Sequence, residues 1–560
     1  MRPPLRRHRY ALSVTLTVLV VLAALLLNVG LTALSSDNLW FADTTPEGLY
    51  TPTDALIDTC KKLKGEITVT FCQEPDRLTA DYELRYVYYL AKALANRIEN
   101  ITLVTCDIVE NPTAVDPYRA TTATVIRPDD VIISCGGRYR IYSASSFWTL
   151  GEDSQNETDY YSFNGEYKMA TAFLAITSVV EPVVCFAYTH GEHIYVDPTD
   201  TANASLMGYS DPDREAFWAL MRAEGLKVSY IDLDTEKIPE DCVMVVIDGP
   251  TVDYELGSTT SLYGENALTR LHAFLADRQG ALMVFKDPAY TLPNLEAFVA
   301  DWGIGFENDI LVQDPTKCLT DGSDVEDAHR YEKLIVNLSQ DEESVANAIY
   351  ADIAALGTAP RTVVANSGTV YKTWLNDGVG SSSVSNVIPG YFEFFTTSDS
   401  ARRVTLDGRL DSLQTKSEAL AAVSMRIRYD KVTNDYYYSY CFGAATTALT
   451  ENTYLSNHAY SNYDVMFALV RYISRTDEYA STELGGTSLN SENLGGKPLL
   501  TVTIDPTGNV RYDDDRHTVL EYYQPLTDGA KVAWTVALVA VPVLLAAAGA
   551  VLVTVRRRNR

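Results

Sequence analysis

The 560-residue sequence has no C-x-x-C pair, although it holds eight cysteines, spaced singly at Cys60, Cys72, Cys106, Cys135, Cys185, Cys242, Cys318 and Cys441. Cysteine-rich structural zinc sites usually use such a pair and thioredoxin-type disulfide exchange requires one, so neither is expected. Cys106, Cys185 and Cys242 lie in apolar, strand-like runs, where a thiol acts as a small core residue. Few disulfides or none are expected. A phosphate-cradling G-x-x-x-x-G-K-[ST] loop is also missing: Gly496-Lys497 is followed by Pro498, with Ser491 in place of the first glycine. Positive charge is scarce, with 45 Lys and Arg against 74 Asp and Glu and a formal net charge of −29. Such a surface repels phosphate backbones, so no nucleic-acid partner is expected. There is no internal repeat.

Two long apolar runs stand at the ends. Tyr10 to Leu34 and Val532 to Val555 are each long enough for the roughly 20 residues that a membrane-crossing helix needs. The first also exceeds the roughly 7–15 apolar residues usual in a cleaved signal peptide. Arg2, Arg6, Arg7 and Arg9 precede the first run; Arg556, Arg557, Arg558 and Arg560 follow the second. Positive flanks stay on the cytoplasmic side. The expectation is a two-pass cell-membrane protein with the lipid bilayer as a partner. Residues 1–9 and 556–560 are then cytoplasmic tails, 10–34 and 532–555 transmembrane helices, and the acidic region between them a large extracytoplasmic domain.

That region exceeds one ordinary core and suggests several domains. In 37–181, Glu66 to Phe71 alternates as a strand, Tyr82 to Ile98 has helical periodicity, and Ile101 to Asp107 is a second strand. A hairpin follows around Gly136-Gly137, then a helix over Gly165 to Val179. This order is that of a thioredoxin-like α/β unit, but the chain reads Phe71-Cys72-Gln73-Glu74-Pro75 where the redox version has its cysteine pair. In 182–313, strands at Val183 to Tyr188, Leu226 to Ile231, Val243 to Ile247 and Leu282 to Phe285 alternate with helices. That alternation predicts a parallel sheet covered on both faces, like a flavodoxin or class I amidotransferase. The stretch 314–525 reads as a further α/β region, with strands near Tyr391 to Phe395, Ala421 to Arg428 and Tyr436 to Gly443 and an amphipathic helix over Asn462 to Ser474. The predicted fold class is therefore α/β, a thioredoxin-like unit plus an amidotransferase-like parallel sheet, flanked by two transmembrane helices.

An amidotransferase-type sheet becomes an enzyme when a cysteine or serine sits on a strained strand-to-helix elbow. After Val243 to Ile247 the chain reads Asp248-Gly249-Pro250, with no nucleophile. Thr189-His190-Gly191-Glu192-His193 follows the first strand of the sheet, at the carboxyl end where ligands bind in such folds. His190, Glu192 and His193 are therefore candidates for ligand, partner or metal contact. Yet H-G-E-H is not the helical H-E-x-x-H, and holding the loop by hydrogen bonds is the favoured role for His190 or Glu192. No catalytic, cofactor or metal residues are assigned.

Several motifs recur in a telling order. They are Asp43-Thr44-Thr45 with Leu49-Tyr50-Thr51-Pro52-Thr53, Asn111-Pro112, Phe163-Asn164-Gly165-Glu166, Thr189-His190-Gly191-Glu192, and Leu292-Pro293-Asn294-Leu295 with Trp302-Gly303-Ile304. Cys441-Phe442-Gly443-Ala444 and Asn462-Tyr463-Asp464 close the series. In this order, and with the basic-flanked end segments, the chain resembles the auxiliary, substrate-binding-like subunits of the gliding-motility-associated ABC transporter family over nearly its whole length. Thr189 stands where that family usually has glycine, and Thr44 where it has leucine. The resemblance implies a non-catalytic extracytoplasmic subunit working with a separate ABC permease and ATPase, without a cofactor. It adds Glu166 to the candidate contact residues. Two other readings compete: a cell-envelope hydrolase or amidase with its site near His190, and a membrane-tethered adhesion or sensor module.

Overall fold

The computed structural model describes residues 51–475, except 82, 154–157, 178–180, 256–265, 320–330, 340–344, 348, 350–360, 375–386, 412–413, 431–434 and 458, and then 502–504 and 510–511. The chain divides into two units, one of Met1–Thr149 with Asn164–Leu500 and one of Leu150–Phe163 with Thr501–Arg560.

The larger unit begins with helix α1 (Asp54–Cys60), whose cap Thr53 accepts from the Leu56 amide. Strand β1 (Ile67–Phe71) follows, then the short helix α2 (Pro75–Ala80), α3 (Leu84–Arg97) and β2 (Ile101–Thr105). Leu84, Val87, Tyr88, Leu90, Ala91 and Leu94 recur at helical spacing and are buried along α3. Tyr88 meets Phe71 of β1 edge-on, with ring centroids 5.5 Å apart. Strands β3 (Asp130–Cys135) and β4 (Arg138–Ser143) form the anticipated hairpin. Its turn needs Gly136 and Gly137, with φ of 60° and 86°. The sheet order is β2-β1-β3-β4, with β1 parallel to β2 and antiparallel to β3. In the smaller unit, β5 (Trp148–Asp153) and β6 (Thr158–Phe163) share a sheet with two strands from near the carboxyl terminus, described below.

Helix α4 (Gly165–Thr177) leads into the main sheet. Its parallel strands are β7 (Val183–Ala187), β8 (Lys227–Ile231), β9 (Cys242–Asp248) and β10 (Ala281–Phe285). Helices α5 (Glu215–Ala223), α6 (Ala267–Arg278) and α7 (Pro293–Asp301) connect them or follow them. β7 and β10 are buried at every position, as a strand covered on both faces must be. After β11 (Ile304–Phe306) and β12 (Ile310–Gln313) come β13 (Lys333–Leu338), β14 (Thr362–Ala365), β15 (Val370–Lys372), β16 (Val387–Thr396), β17 (Arg402–Thr405), β18 (Ala419–Asp430) and β19 (Asp435–Ala444). Five of these, all from the stretch 314–525, extend the sheet that β7 begins. The full order is β14-β13-β16-β18-β19-β10-β9-β7-β8. β19 pairs in parallel with β10, and β18, β16, β13 and β14 continue antiparallel.

Alternate residues of each strand enter separate cores. Val184, Phe186, Val246, Met283 and Phe442 pack with Phe217 and Leu220 of α5 and, after the one-turn helix α8 (Asn452–Leu455), with Val465 and Leu469 of α9 (Asn462–Ser474). Cys185, Val245, Ile247, Leu282 and Cys441 pack with Leu271 and Phe274 of α6 and Leu295 and Trp302 of α7 and its end. The smaller unit closes with β20 (Val502–Ile504) and β21 (Val510–Arg511), in the order β21-β20-β6-β5. The chain is thus α/β, with mixed parallel and antiparallel sheets.

The membrane expectation is corrected here. Among the described residues no helix is long and apolar enough to cross a membrane. The longest is α3, at 14 residues, against the roughly 20 required. The two-pass cell-membrane localisation and the transmembrane character are therefore withdrawn. The apolar runs 10–34 and 532–555 themselves lie outside the described residues.

Candidate functional site

The carboxyl ends of β7, β9, β10 and β19 surround three of the four sequence candidates, His190, Glu192 and His193. β7 ends at Ala187, and the loop that follows folds back on the turn after β9. The His190 carbonyl accepts from the amides of Thr251 (2.9 Å) and Val252 (3.0 Å). This approach requires Gly191. Its φ is +83°, and a Cβ there would lie 2.1 Å from the Thr251 hydroxyl oxygen.

Glu192 turns inward. Its carboxylate accepts from the His190 amide (2.6 Å) and from the hydroxyl of buried Tyr254. The His190 ring stacks on Tyr254 at 3.9 Å between centroids, and its Nε2 lies 3.3 Å from an Asp234 carboxylate oxygen. Burial and then the Glu192 carboxylate raise the Tyr254 phenol well above its ordinary value, which keeps it a donor. His190 and Glu192 are 6% and 5% exposed. They form an internally satisfied brace, and a ligand would have to break it to use them.

His193 is separate from that brace. Its amide donates to the Asp248 carbonyl (2.7 Å), and its Nδ1 is 3.0 Å from Asp211. Its side chain is 40% exposed, making it the accessible member of the three. Asp248 is the last residue of β9. One of its oxygens accepts from Arg214 Nε (2.9 Å) and from the Thr450 hydroxyl (2.8 Å). The other oxygen is buried with no hydrogen-bond partner among the described residues. Burial pushes this carboxyl up, while Arg214 and His193 oppose the shift. The turn itself is held open by Gly249, at φ +65°, where a Cβ would come within 2.6 Å of the His193 ring.

Glu166 belongs elsewhere. It opens α4 and accepts from the Thr53 amide (2.8 Å) and hydroxyl (2.7 Å), so it fixes the start of α1. Sequence reasoning passed over Arg214, Tyr254, Thr450 and Lys286. Lys286 follows the wholly buried β10, donates to Asn308 Oδ1 (2.5 Å) and lies 3.4 Å from Glu296. A cation directly after an apolar strand was the available signal for it. Arg214 and Thr450 come from distant segments and gave none.

Among the described residues no group of three or more His, Cys, Asp or Glu side chains is placed to hold a metal. The eight cysteines are free thiols. Burial pushes Cys60, beside Glu166, and Cys441 up to about 12, the environment of an inert core thiol.

No family model matches the sequence, and no curated protein matches it. Among solved structures, an exo-beta-1,4-mannosidase, Op5Man5 from Opitutaceae bacterium strain TAV5, is similar at 9% identity and a TM-score of 0.22. The match covers 72% of this chain and 50% of that one. A likeness of that size carries no argument about fold or chemistry.

Proposed function

We propose that the chain is a non-catalytic auxiliary subunit of an ABC transporter, working with a separate permease and ATPase, and that the carboxyl ends of β7 and β9 form its recognition surface. In this reading the β2-β1-β3-β4 layer is a thioredoxin-like unit without its redox pair. The β7–β10 and β19 core is then an amidotransferase-like sheet without its nucleophile. The observation that supports the non-catalytic half is the turn after β9. Asp248 occupies it, tied to Arg214 and Thr450, and neighbouring His190 and Glu192 are committed to Tyr254 and to each other. The transporter half rests on the order of sequence motifs from Asp43 to Asp464. The test is mild crosslinking in cells followed by affinity capture through this chain. Recovery of a multi-span permease together with an ATPase is the expected result. Capture of this chain alone would overturn the reading.

A further inference from the structure

The rim of the loop after β7 carries exposed apolar side chains, and the neighbouring turn after β8 carries a cluster of carboxylates. Met207, Tyr209 and Val252 are 41%, 55% and 59% exposed. Met207 and Tyr209 belong to the turn-like segment Thr201–Tyr209, which buries none of its residues. Only Leu206 of this segment, partly buried, packs against the main core, a small contribution against the entropy of ordering nine residues. It is nonetheless held in place. Asp200 accepts from the Ala202 amide (2.9 Å) and the Asn203 side chain (2.7 Å), and Tyr209 meets Tyr188 edge-on at 5.4 Å. Val252 is fixed through its amide on the His190 carbonyl.

The charge comes from the turn after β8. Asp232 lies 3.4 Å from the Thr189 hydroxyl, and Asp234 lies 3.3 Å from His190 Nε2. Glu236 accepts from the Asp232 amide (3.1 Å). The Asp232 contact is on Thr189, the residue after Tyr188, and the Tyr188 phenol is raised by burial and then by the Glu236 and Asp232 carboxylates. None of the three carboxylates has a lysine or arginine within ion-pair distance among the described residues; Arg270 reaches this turn but donates to the Leu233 carbonyl. By contrast, Asp211 and Asp213 nearby face Arg214.

We infer that this face docks a basic segment of a partner protein, with arginine or lysine heads over Tyr188 and Tyr209 and against Asp232, Asp234 and Glu236. Met207 and Val252 receive the aliphatic stems. Aromatic faces attract such cations, long basic side chains lay their stems on apolar surface, and opposite charge across a rim sets partner choice. A bare metal ion does not fit, because no three ligands converge here among the described residues, and a net charge of −29 disfavours a polyphosphate. The inference rests on the proposed recognition role of this loop and names the chemistry that the loop would recognise.

The acidic chain attracts cations everywhere, so the test must localise the effect. The probe is a fluorescein-labelled arginine-glycine-serine repeat peptide. It is titrated into the full chain at physiological ionic strength, where charges are screened beyond about 8 Å. Asp232→Asn/Asp234→Asn/Glu236→Gln should weaken binding roughly tenfold or more. Asp58→Asn/Glu66→Gln/Glu99→Gln changes the net charge equally, on α1 and the turns before β1 and β2, and should change binding less than about twofold. Tyr209→Ala should weaken it several-fold and Tyr209→Phe should not. Unchanged thermal melts will show that the variants fold. Equal losses in the two triple variants, or no binding by the parent chain, overturn the inference. The crosslinking capture reads the transporter proposal separately. If permease and ATPase are captured while the face variants bind peptide normally, this inference fails alone. If binding maps to the face and the chain is captured alone, only the transporter assignment fails.

Discussion

Glu224, at the end of α5, sits between two arginines inside the larger unit, and its removal gives the sharpest stability test. One carboxylate oxygen accepts from Arg140 Nη2 of β4, and the other from Arg471 Nε of α9 at 2.8 Å. The Glu224 side chain is fully buried, Arg140 is 3% exposed and Arg471 13%. Arg471 also donates to the Ile141 carbonyl (2.7 Å) and the Ser146 hydroxyl (3.1 Å), and lies over the Tyr142 ring at 4.3 Å. Glu224→Ala therefore deprives two desolvated guanidinium groups of their shared carboxylate. Breaking a buried pair in this way costs about 3–5 kcal/mol. The lower end applies, because Arg471 keeps its carbonyl and hydroxyl partners. Glu224→Gln keeps the shape and loses the charge, and should destabilise by a similar amount. By contrast, Arg140→Met/Glu224→Leu/Arg471→Met removes the desolvation penalty along with the attraction and should be far milder than Glu224→Ala. Urea unfolding followed by tryptophan fluorescence measures the loss. Hydrogen exchange should place it in β4 and α9. A loss below about 1 kcal/mol for Glu224→Ala is what an exposed pair gives, and it would refute the claim that this triad joins the β1–β4 layer to the main sheet.

Gly191→Ala should lower stability by about 1–3 kcal/mol, since it combines a left-handed backbone with the Thr251 clash. Adding Thr251→Ala should recover the steric part but not the backbone part, as read by thermal melts. Burial, and then Asp81 and Asp129, raise the Glu83 carboxyl from 4.5 to about 7. The folded state therefore holds this proton more tightly than the unfolded chain. The contribution to stability is full below pH 4.5 and is lost as the pH rises through about 7. Denaturation midpoints across that window should fall with pH in the parent chain and flatten in Glu83→Gln; an unchanged slope would refute the assignment.

The sequence by itself determined the local elements, because their cause is local. A wholly apolar run bounded by turns, such as Val183 to Ala187, can only be a doubly covered strand or a buried helix segment, and its length decides for the strand. Gly136-Gly137 between alternating runs specifies a hairpin, and the apolar spacing in Asn462 to Ser474 specifies a helix with one buried face. The absence of a nucleophile after β9 was legible in the same way. Tertiary structure decided what no short window contains. β19 lies beside β10 although the two are distant in sequence, Ala281 of β10 pairing with Tyr440 of β19, because the open edge of a parallel core takes whichever strand can complete it. In the sequence His190 and Glu192 read either as a loop brace or as ligand contacts; Tyr254, 62 residues from Glu192, supplies the partner that makes them a brace. Glu166 looked like their companion, yet its carboxylate is spent on Thr53, 113 residues away. Charge partners such as Arg140, Glu224 and Arg471 carry no periodicity, and only the packing of α5 and α9 against β4 brings them within hydrogen-bonding distance.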